Sequence, residues 1–464
     1  MSKTDIETLN RLVKELDAPI GHYNTLDKYW YGRQPLAFLA EEHRKLLGGR
    51  LNRLVTNIPR LTVLSIAERL RVQAFDGVDI SQEWEASNMA QNIGTVFREA
   101  LLLGSSFVLV STAADGSPLI TVESARQVSV ERDPATREVL SAVKRWETRT
   151  STEATLFLPD RIVRFSAPTK GASASALRQV DAWFNPLGVV PVVPVINADR
   201  LLDVHGCSEV SDLLPLVDLA NKFLVDMACT SEATGLPRRW ATGLQPREEV
   251  VKDDDGNPVL DSQGNPVKEL VSPVSDDRFK MAVASSEAAK FGQWSAADMG
   301  GYESSMRVIM AQIGAISALP PAYLAAWDAQ PTSADAVRAQ ESSLVARVEA
   351  KQLIFAPALE RVAALVVAVR DGVDPAGVTP RVRWGDPASR SQAQEADAAV
   401  KLYQAGVLSR AGTLRKLGYS DDEIAAERSA ARAEALDGQG VNVAAGQDRS
   451  TGSRNVTPAP AEAA

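Results

Sequence analysis

Leu319-Pro320-Pro321-Ala322-Tyr323-Leu324 opens a stretch that restarts at Pro331-Thr332-Ser333-Ala334-Asp335 and runs as a helical pattern to Arg370. Thr332 and Ser333 are candidate caps for that helix, and Asp335 favours its first turn. Apolar residues recur at helical spacing through Val337, Leu344, Val348, Phe355, Leu359, Val362 and Val366. Pro357 lies deep inside this pattern. It has no N–H for the carbonyl of Leu353 and its ring crowds that carbonyl, so a kink is expected there. The loop from Leu319 to Pro331 carries Tyr323, Trp327 and Asp328 and no lysine or arginine. Such a loop is a poor clamp for phosphates and a reasonable smooth, weakly acidic collar. It fits equally well a connection whose aromatic residues pack into a core.

Working outward, two helical patterns precede this stretch. Ser211 to about Thr234 places Leu213, Leu216, Ala220, Phe223 and Met227 on one face, and Gly235-Leu236-Pro237 stops it. A second pattern spans about Gly300 to Ala318. Between them, Arg238 to Asp298 is the least regular part of the chain. It repeats Asp255-Gly256-Asn257-Pro258-Val259 as Gln263-Gly264-Asn265-Pro266-Val267, which predicts a protruding hairpin or a pair of turns.

Further out, residues 1 to about 100 read as helical: Leu9, Leu12, Val13 and Leu16 share a face, and Leu36 to Leu54 resumes helical spacing. Ser81 is the candidate cap of a helix running through Trp84, Met89, Ile93, Phe97 and Leu101. From Ser105 to about Asn197 six short β-type runs, beginning with Phe107–Val110 and ending with Arg161–Phe165, alternate with turn signals and predict an antiparallel sheet. Lys170 to Ala176 reads as a loop. Val189 to Ile196 holds Pro191 and Pro194, which fits an edge or irregular strand. Arg381–Trp384 is a candidate returning strand. Ser389 to Gly438 predicts three short helices, one starting at Ser409 and ending at Gly418, the next with Ser420 and Glu423 as a capping box. The tail beyond Asp437 has too little apolar content to fold alone.

The 464 residues are enough for about two to four domains. With 45% apolar and 23% charged residues the composition is that of a folded, soluble protein. A net charge of −9 argues against a surface that grips DNA throughout, but it suits a conduit, which must avoid tight phosphate binding. Cys207 and Cys229 are expected as buried free thiols, which fits a reducing compartment. The polar N-terminus lacks a signal-peptide core, and no run approaches the ~18 apolar residues of a membrane span.

Catalytic patterns are missing. There is no phosphate-binding Gly-x-x-x-x-Gly-Lys-Ser/Thr loop, no Gly-x-Ser-x-Gly elbow and no His-Glu-x-x-His. The histidines, His22, His43 and His205, are far apart in sequence. Asp253-Asp254-Asp255 superficially suggests a calcium loop, but with Gly256 at loop position six, Val251 falls at position one, so a solvated turn is expected. The pairs Glu41-Glu42, Glu248-Glu249 and Asp421-Asp422 fit helix ends or polar faces. Arg238-Arg239-Trp240 is a candidate for touching a phosphate backbone or stacking a base, though a packed tryptophan beside solvated arginines is the commoner arrangement. No enzymatic activity, cofactor or metal is expected.

An ordered series of segments resembles the portal proteins of tailed bacteriophages, in particular those of long-tailed phages of actinobacteria. The segments are Tyr29-Trp30-Tyr31-Gly32 with Leu36, Asn52-Arg53-Leu54, Leu70-Arg71-Val72, Val190–Val195 followed by Asn197, Asp212–Asp218, Leu319–Leu324 and Pro331–Ala336. The resemblance covers the chain to about Gly438. It implies an α+β, mainly helical portal fold. In that fold 1–210 would form the wing, with N-terminal helices and an antiparallel sheet. Residues 211–235 and 299–318 would be the two stem helices, 236–298 the clip and 319–331 the tunnel loop. The kinked helix and a return to the wing would occupy 332–388, a helical crown 389–436 and a disordered tail 437–464.

The resemblance further implies a ring, usually of twelve subunits, at one capsid vertex, through which double-stranded DNA is packaged and ejected. Its expected partners are the terminase packaging motor, a head–tail adaptor, and the major capsid and scaffold proteins, with no membrane. Assembly would take place in the host cytoplasm and the product would sit in the virion. Leu319, Pro320, Pro321, Tyr323, Trp327, Asp328 and Pro331 would border the channel, Pro357 would kink the helix, and Arg238, Arg239 and Trp240 would belong to the clip. The alternatives are another minor capsid or scaffolding protein, or a DNA-handling hydrolase.

Overall fold

The computed structural model describes residues 3–38, 41, 54–235, 239–242, 247–253, 256–261, 263–271, 288, 290–293, 299–324, 333–388, 392–419 and 423–434. The chain divides into two compact units, Met1–Pro387 and Ala388–Ala464. Helices and antiparallel sheets are mixed throughout the first, and the described part of the second is helical.

The six β runs read from the sequence form two sheets. Strands β4 (Val128–Arg132), β5 (Val139–Glu147), β6 (Thr152–Phe157), β7 (Arg161–Ala167) and β8 (Arg178–Phe184) lie side by side in chain order, all antiparallel. Val143 pairs with Leu156 and Leu156 with Val163, so all three point to one face. Helix α1 (Lys3–Asp17) covers that face with Leu9, Leu12 and Val13. Charged ends fix its position: Arg161 donates to Asp5 at 2.6 Å and Arg145 to Asp17 at 3.1 Å.

The second sheet has three strands in the order β3 (Pro118–Ser124), β2 (Ser105–Thr112), β9 (Val192–Ile196). β9 is an edge strand, as its prolines demand, with Pro194 opposite Phe107. Behind β2 packs helix α5 (Met89–Leu103), and across it runs α8 (Ala334–Asp371), the longest helix among the described residues. Phe97 of α5 stacks on Phe355 of α8 with ring centres 5.6 Å apart, and Trp384 closes the cluster. Gly104, which ends α5, lies against Gly206. Both have positive φ, and a Cβ on Gly206 would stand 2.0 Å from the Gly104 carbonyl oxygen, so no side chain fits there.

Helices α6 (Leu214–Gly235) and α7 (Gly300–Ser317) form an antiparallel pair. Val217 and Ala220 meet Ile309 and Ile313, and farther out the Thr230 and Tyr302 hydroxyls are 3.1 Å apart. Helix α2 (Ile20–Trp30) joins them through Tyr29, whose hydroxyl donates to the Asp218 carboxylate at 2.8 Å. Burial raises the pKa of Asp218, and the Tyr29 hydrogen bond opposes that rise in part.

Beyond the helix pair, β10 (Arg239–Thr242) pairs with β13 (Lys290–Gln293), and β11 (Arg247–Val250) with β12 (Lys268–Val271). The sequence repeat caps the second hairpin as two copies of Val-x-Asp-x-x-Gly-Asn-Pro, starting at Val251 and Val259. In each copy the aspartate side chain accepts from the asparagine N–H, Asp253 from Asn257 at 2.8 Å and Asp261 from Asn265 at 2.9 Å. The valines close a cycle: Val251 N–H donates to Val267, Val267 to Val259 and Val259 to Val251.

In the second unit, α9 (Gln392–Gln404), α10 (Arg410–Lys416) and a further helix over 423–434 follow one another. Ser409 caps α10 by accepting from Gly412 N–H at 3.1 Å, and Gly418 leaves it at φ 93°.

Several expectations need correction. The N-terminal 100 residues are not wholly helical, because β1 (Val72–Asp76) pairs with β14 (Arg381–Trp384), a partner more than 300 residues away. Ser81 does not start one long helix. Asn88, at φ 53°, separates α4 (Ser81–Ala86) from α5, and Asp79 accepts from Ser81 N–H at 3.0 Å. Residues 33–38 are irregular or turn rather than helical, and most of the pattern expected over Leu36–Leu54 lies outside the described residues. β8 was not anticipated; all of its residues are exposed, so no alternation marks it. Cys207 is exposed and Cys229 half-buried, not buried as expected. Ala336–Asp371 is long and apolar enough to cross a membrane, contrary to expectation, and its apolar residues from Phe355 onward lie in the core of the first unit.

Candidate functional site

The stretch after α7 begins with Leu319 and Pro320, both buried, and continues as a single 3₁₀ turn, Pro321–Leu324. Ser317 prepares the turn. Its hydroxyl donates to the Ile313 carbonyl at 2.6 Å and accepts from Leu319 N–H at 3.3 Å. Ala318 then takes a left-handed conformation, φ 58°, and ends the helix. The last carbonyls of α7 would otherwise lack donors. Two side chains of α8 supply them: Arg347 donates to Ile316 at 2.9 Å, and Ser343 to Ala318 at 3.3 Å. α8 itself starts at Ser333, whose hydroxyl accepts from Ala336 N–H at 3.2 Å.

Tyr323 is 40% exposed, and its hydroxyl is held by Arg69 at 3.2 Å. The same guanidinium donates to Glu341 of α8 at 3.0 Å and to the Pro387 carbonyl at 2.8 Å. Burial acts against the charge of Arg69, but the Tyr323 hydroxyl and the Glu341 carboxylate outweigh it and hold its pKa above the ordinary value. The second oxygen of Glu341 is buried without a hydrogen-bond partner.

Nearly three turns further along α8, Lys351 is 7% exposed. It pairs with Glu209 and donates to Asn197 at 2.7 Å. Asn197 in turn donates to the Cys207 carbonyl at 2.7 Å and to Glu209 at 3.0 Å. Every charge in this node is answered.

Pro357 lies within α8, which continues through it. Leu353, whose carbonyl Pro357 leaves without its usual donor, is 78% exposed, and Pro357 is exposed beside it. Arg239 and Trp240 are strand residues opposite Gln293 and Gly292. Trp327, Asp328, Pro331 and Arg238 lie outside the described residues. Of the predicted residues, then, Leu319, Pro320, Pro321 and Tyr323 share one turn, Pro357 stands apart on the long helix, and Arg239 and Trp240 sit beyond the helix pair. Arg69, Glu209, Glu341, Arg347 and Lys351 were not anticipated. One signal for two of them was present: Arg347 and Lys351 stand four apart on an otherwise apolar helix face, where a cation needs a partner.

A family model described as phage portal protein, SPP1 Gp6-like, matches residues 9–439. The chain belongs to the phage portal protein family. The portal protein of Mycobacterium phage L5 is 32% identical over 392 residues, covering 79% of this chain and 76% of the relative. That of Mycobacterium phage D29 is 31% identical over 387 residues, covering 78% and 76%. Among solved structures, the neck of a native GTA particle computed with C12 symmetry gives a TM-score of 0.43 at 14% identity, covering 86% of this chain and 93% of that one. The neck of an empty GTA particle computed with C6 symmetry gives 0.42 at 14% identity, covering 83% and 96%. The resemblance read from the sequence therefore holds at the level of the portal family, and the turn at Leu319–Leu324 lies inside the matched region.

Proposed function

We propose that this portal-family chain assembles into a ring of twelve copies at one capsid vertex, and that double-stranded DNA passes through the ring during packaging and ejection. The family match across residues 9–439 carries this reading. The antiparallel pair α6 and α7 supports its assignment as the stem, and the small hairpins beyond it support a clip over 236–298 that meets the terminase motor and later a head–tail adaptor. The turn at Leu319–Leu324, continuing to Pro331, is the tunnel loop, and its lack of lysine and arginine suits a surface past which phosphates slide. α8 is the helix kinked at Pro357, residues 1–210 are the wing and 389–436 the crown. The wing and crown meet the major capsid and scaffold proteins. The ring acts as channel and platform without catalysis of its own; it is built in the host cytoplasm and remains in the virion.

Electron microscopy of the purified full-length chain tests this. Rings with a central hole and twelve-fold symmetry are expected. A strict monomer at high concentration under every salt condition would overturn the reading. Copy number per virion separates it from another minor capsid or scaffolding protein, since one ring per particle is expected. Deleting Ala325–Ala329 should leave rings intact and lower the DNA content of particles; failed ring assembly would make the loop a packing element instead.

A further inference from the structure

Arg69 follows α3 (Ile58–Ala67) and belongs to none of the segments that the portal reading assigns to the channel. Its guanidinium nevertheless joins three parts of the chain. It reaches Tyr323 in the turn after α7, Glu341 in the second turn of α8, and the carbonyl of Pro387, the last residue of the first unit. The Arg69 and Glu341 side chains are 12% and 11% exposed, so this pair is withdrawn from solvent, unlike an ordinary surface pair, while the Tyr323 corner stays open to it. A planar fork with five N–H donors can serve three acceptors in different directions, and a lysine ammonium in the same space cannot reproduce that geometry.

Few other bonds do this work. Ser343 and Arg347 fasten α8 to the end of α7, at Ala318 and Ile316, upstream of the turn. Within the turn, Tyr323 N–H closes on Pro320. Leu324 packs against the core of the helix pair, and the Tyr323 hydroxyl supplies the turn's hydrogen bond outward, to Arg69. Glu341 uses one oxygen on Arg69 while its other is buried and empty. Loss of Arg69 would therefore strand a buried carboxylate as well as freeing the turn.

We propose that Arg69 is the positioning residue of the tunnel loop, locking the loop's root, the start of the long helix and the chain's departure toward the second unit into one body. The name of the loop rests on the portal reading; the three-way junction does not.

The test uses hydrogen exchange on full-length protein, with R69K, R69M and the double variant R69M/E341Q, and Arg370→Met as a control on an ion-paired arginine at the far end of α8. R69K keeps a cation for Glu341 and should melt near wild type, yet the segments Ala322–Leu324 and Gly385–Asp386, just before Pro387, should exchange about tenfold faster. R69M should melt lower and exchange faster at both places. In R69M/E341Q the melting temperature should recover, because no charge is left stranded, while both segments stay fast. Arg370→Met should leave both segments at wild-type rates. Wild-type exchange at Ala322–Leu324 in R69K or in the double variant would overturn the proposal, as would fast exchange there in the Arg370→Met control. In particles complemented with R69K, rings should form and packaged DNA should fall severalfold; packaging at wild-type levels despite fast exchange would overturn the positioning role. If the wild-type chain forms no ring, the portal reading fails, and the exchange data still decide whether Arg69 locks the junction.

Discussion

The two halves of α8 are held in different ways. From Phe355 to Ala368 the helix is clasped by apolar packing: Phe355, Leu359 and Val362 through Val366 are buried, with Phe97 and Trp384 against Phe355. From Ser333 to Ile354 only Leu344 and Val348 reach the same core, and polar keys are added to them, with Glu341 on Arg69, Ser343 and Arg347 on the end of α7, and Lys351 on Glu209 and Asn197. Apolar packing is non-directional and tolerates small shifts. A hydrogen-bonded charge is either in register or lost. The C-terminal half is thus a mount, and the N-terminal half is a set of registered contacts that reports on, and is set by, the loop root. Pro357 stands near the boundary between them.

Breaking either half should differ in kind. Phe355→Ala removes a fully buried ring and should cost about 3–5 kcal/mol, read as a lower melting temperature with the polar contacts of the other half still in place. Lys351→Met should cost somewhat less, about 3 kcal/mol, because it leaves the mostly buried Glu209 with only Asn197 and the longer contact to Arg347 at 3.8 Å. Unlike the Phe355 change, it should be largely repaired by adding Glu209→Gln, and a denaturation series on the two single variants and the double shows whether it is. Failure of that repair would mean that Lys351, too, acts mainly by packing. Pro357→Ala returns an N–H to the Leu353 carbonyl and should stabilise isolated protein by about 1 kcal/mol, while lowering packaged DNA if the two halves must bend at that point. Ser333→Ala removes one cap, with an expected loss of about 1 kcal/mol confined to faster exchange in the first turn of α8.

The apolar half was easy to read in the sequence, because periodic burial leaves a periodic trace: Phe355, Leu359, Val362 and Val366 announce their own helix. The same holds for the pair α6 and α7, while β2 to β7 were legible as short apolar runs between turn signals. Where burial is absent, so is the trace, and β8 shows this. The break at Asn88 was hidden because both flanking helices keep apolar spacing across it. The junction at Arg69 was out of reach for another reason. Its three acceptors lie 254, 272 and 318 residues away in sequence, and nothing local distinguishes this arginine from any other. The root of the loop was legible as composition, from Leu319 to Tyr323, but what holds it was not.

The paired Asp–Asn turns beyond β11 carry a consequence for how this tip can change. Three valines spaced by eight residues hand their N–H groups round in a closed circuit, so the tip has no loose end from which to unravel. A residue added or removed between an aspartate and the asparagine four places on would set that aspartate against the wrong neighbour, and loss of a whole copy would take one valine out of the circuit. The tip of this protein is therefore a counted object, closed by its length as well as by its residues.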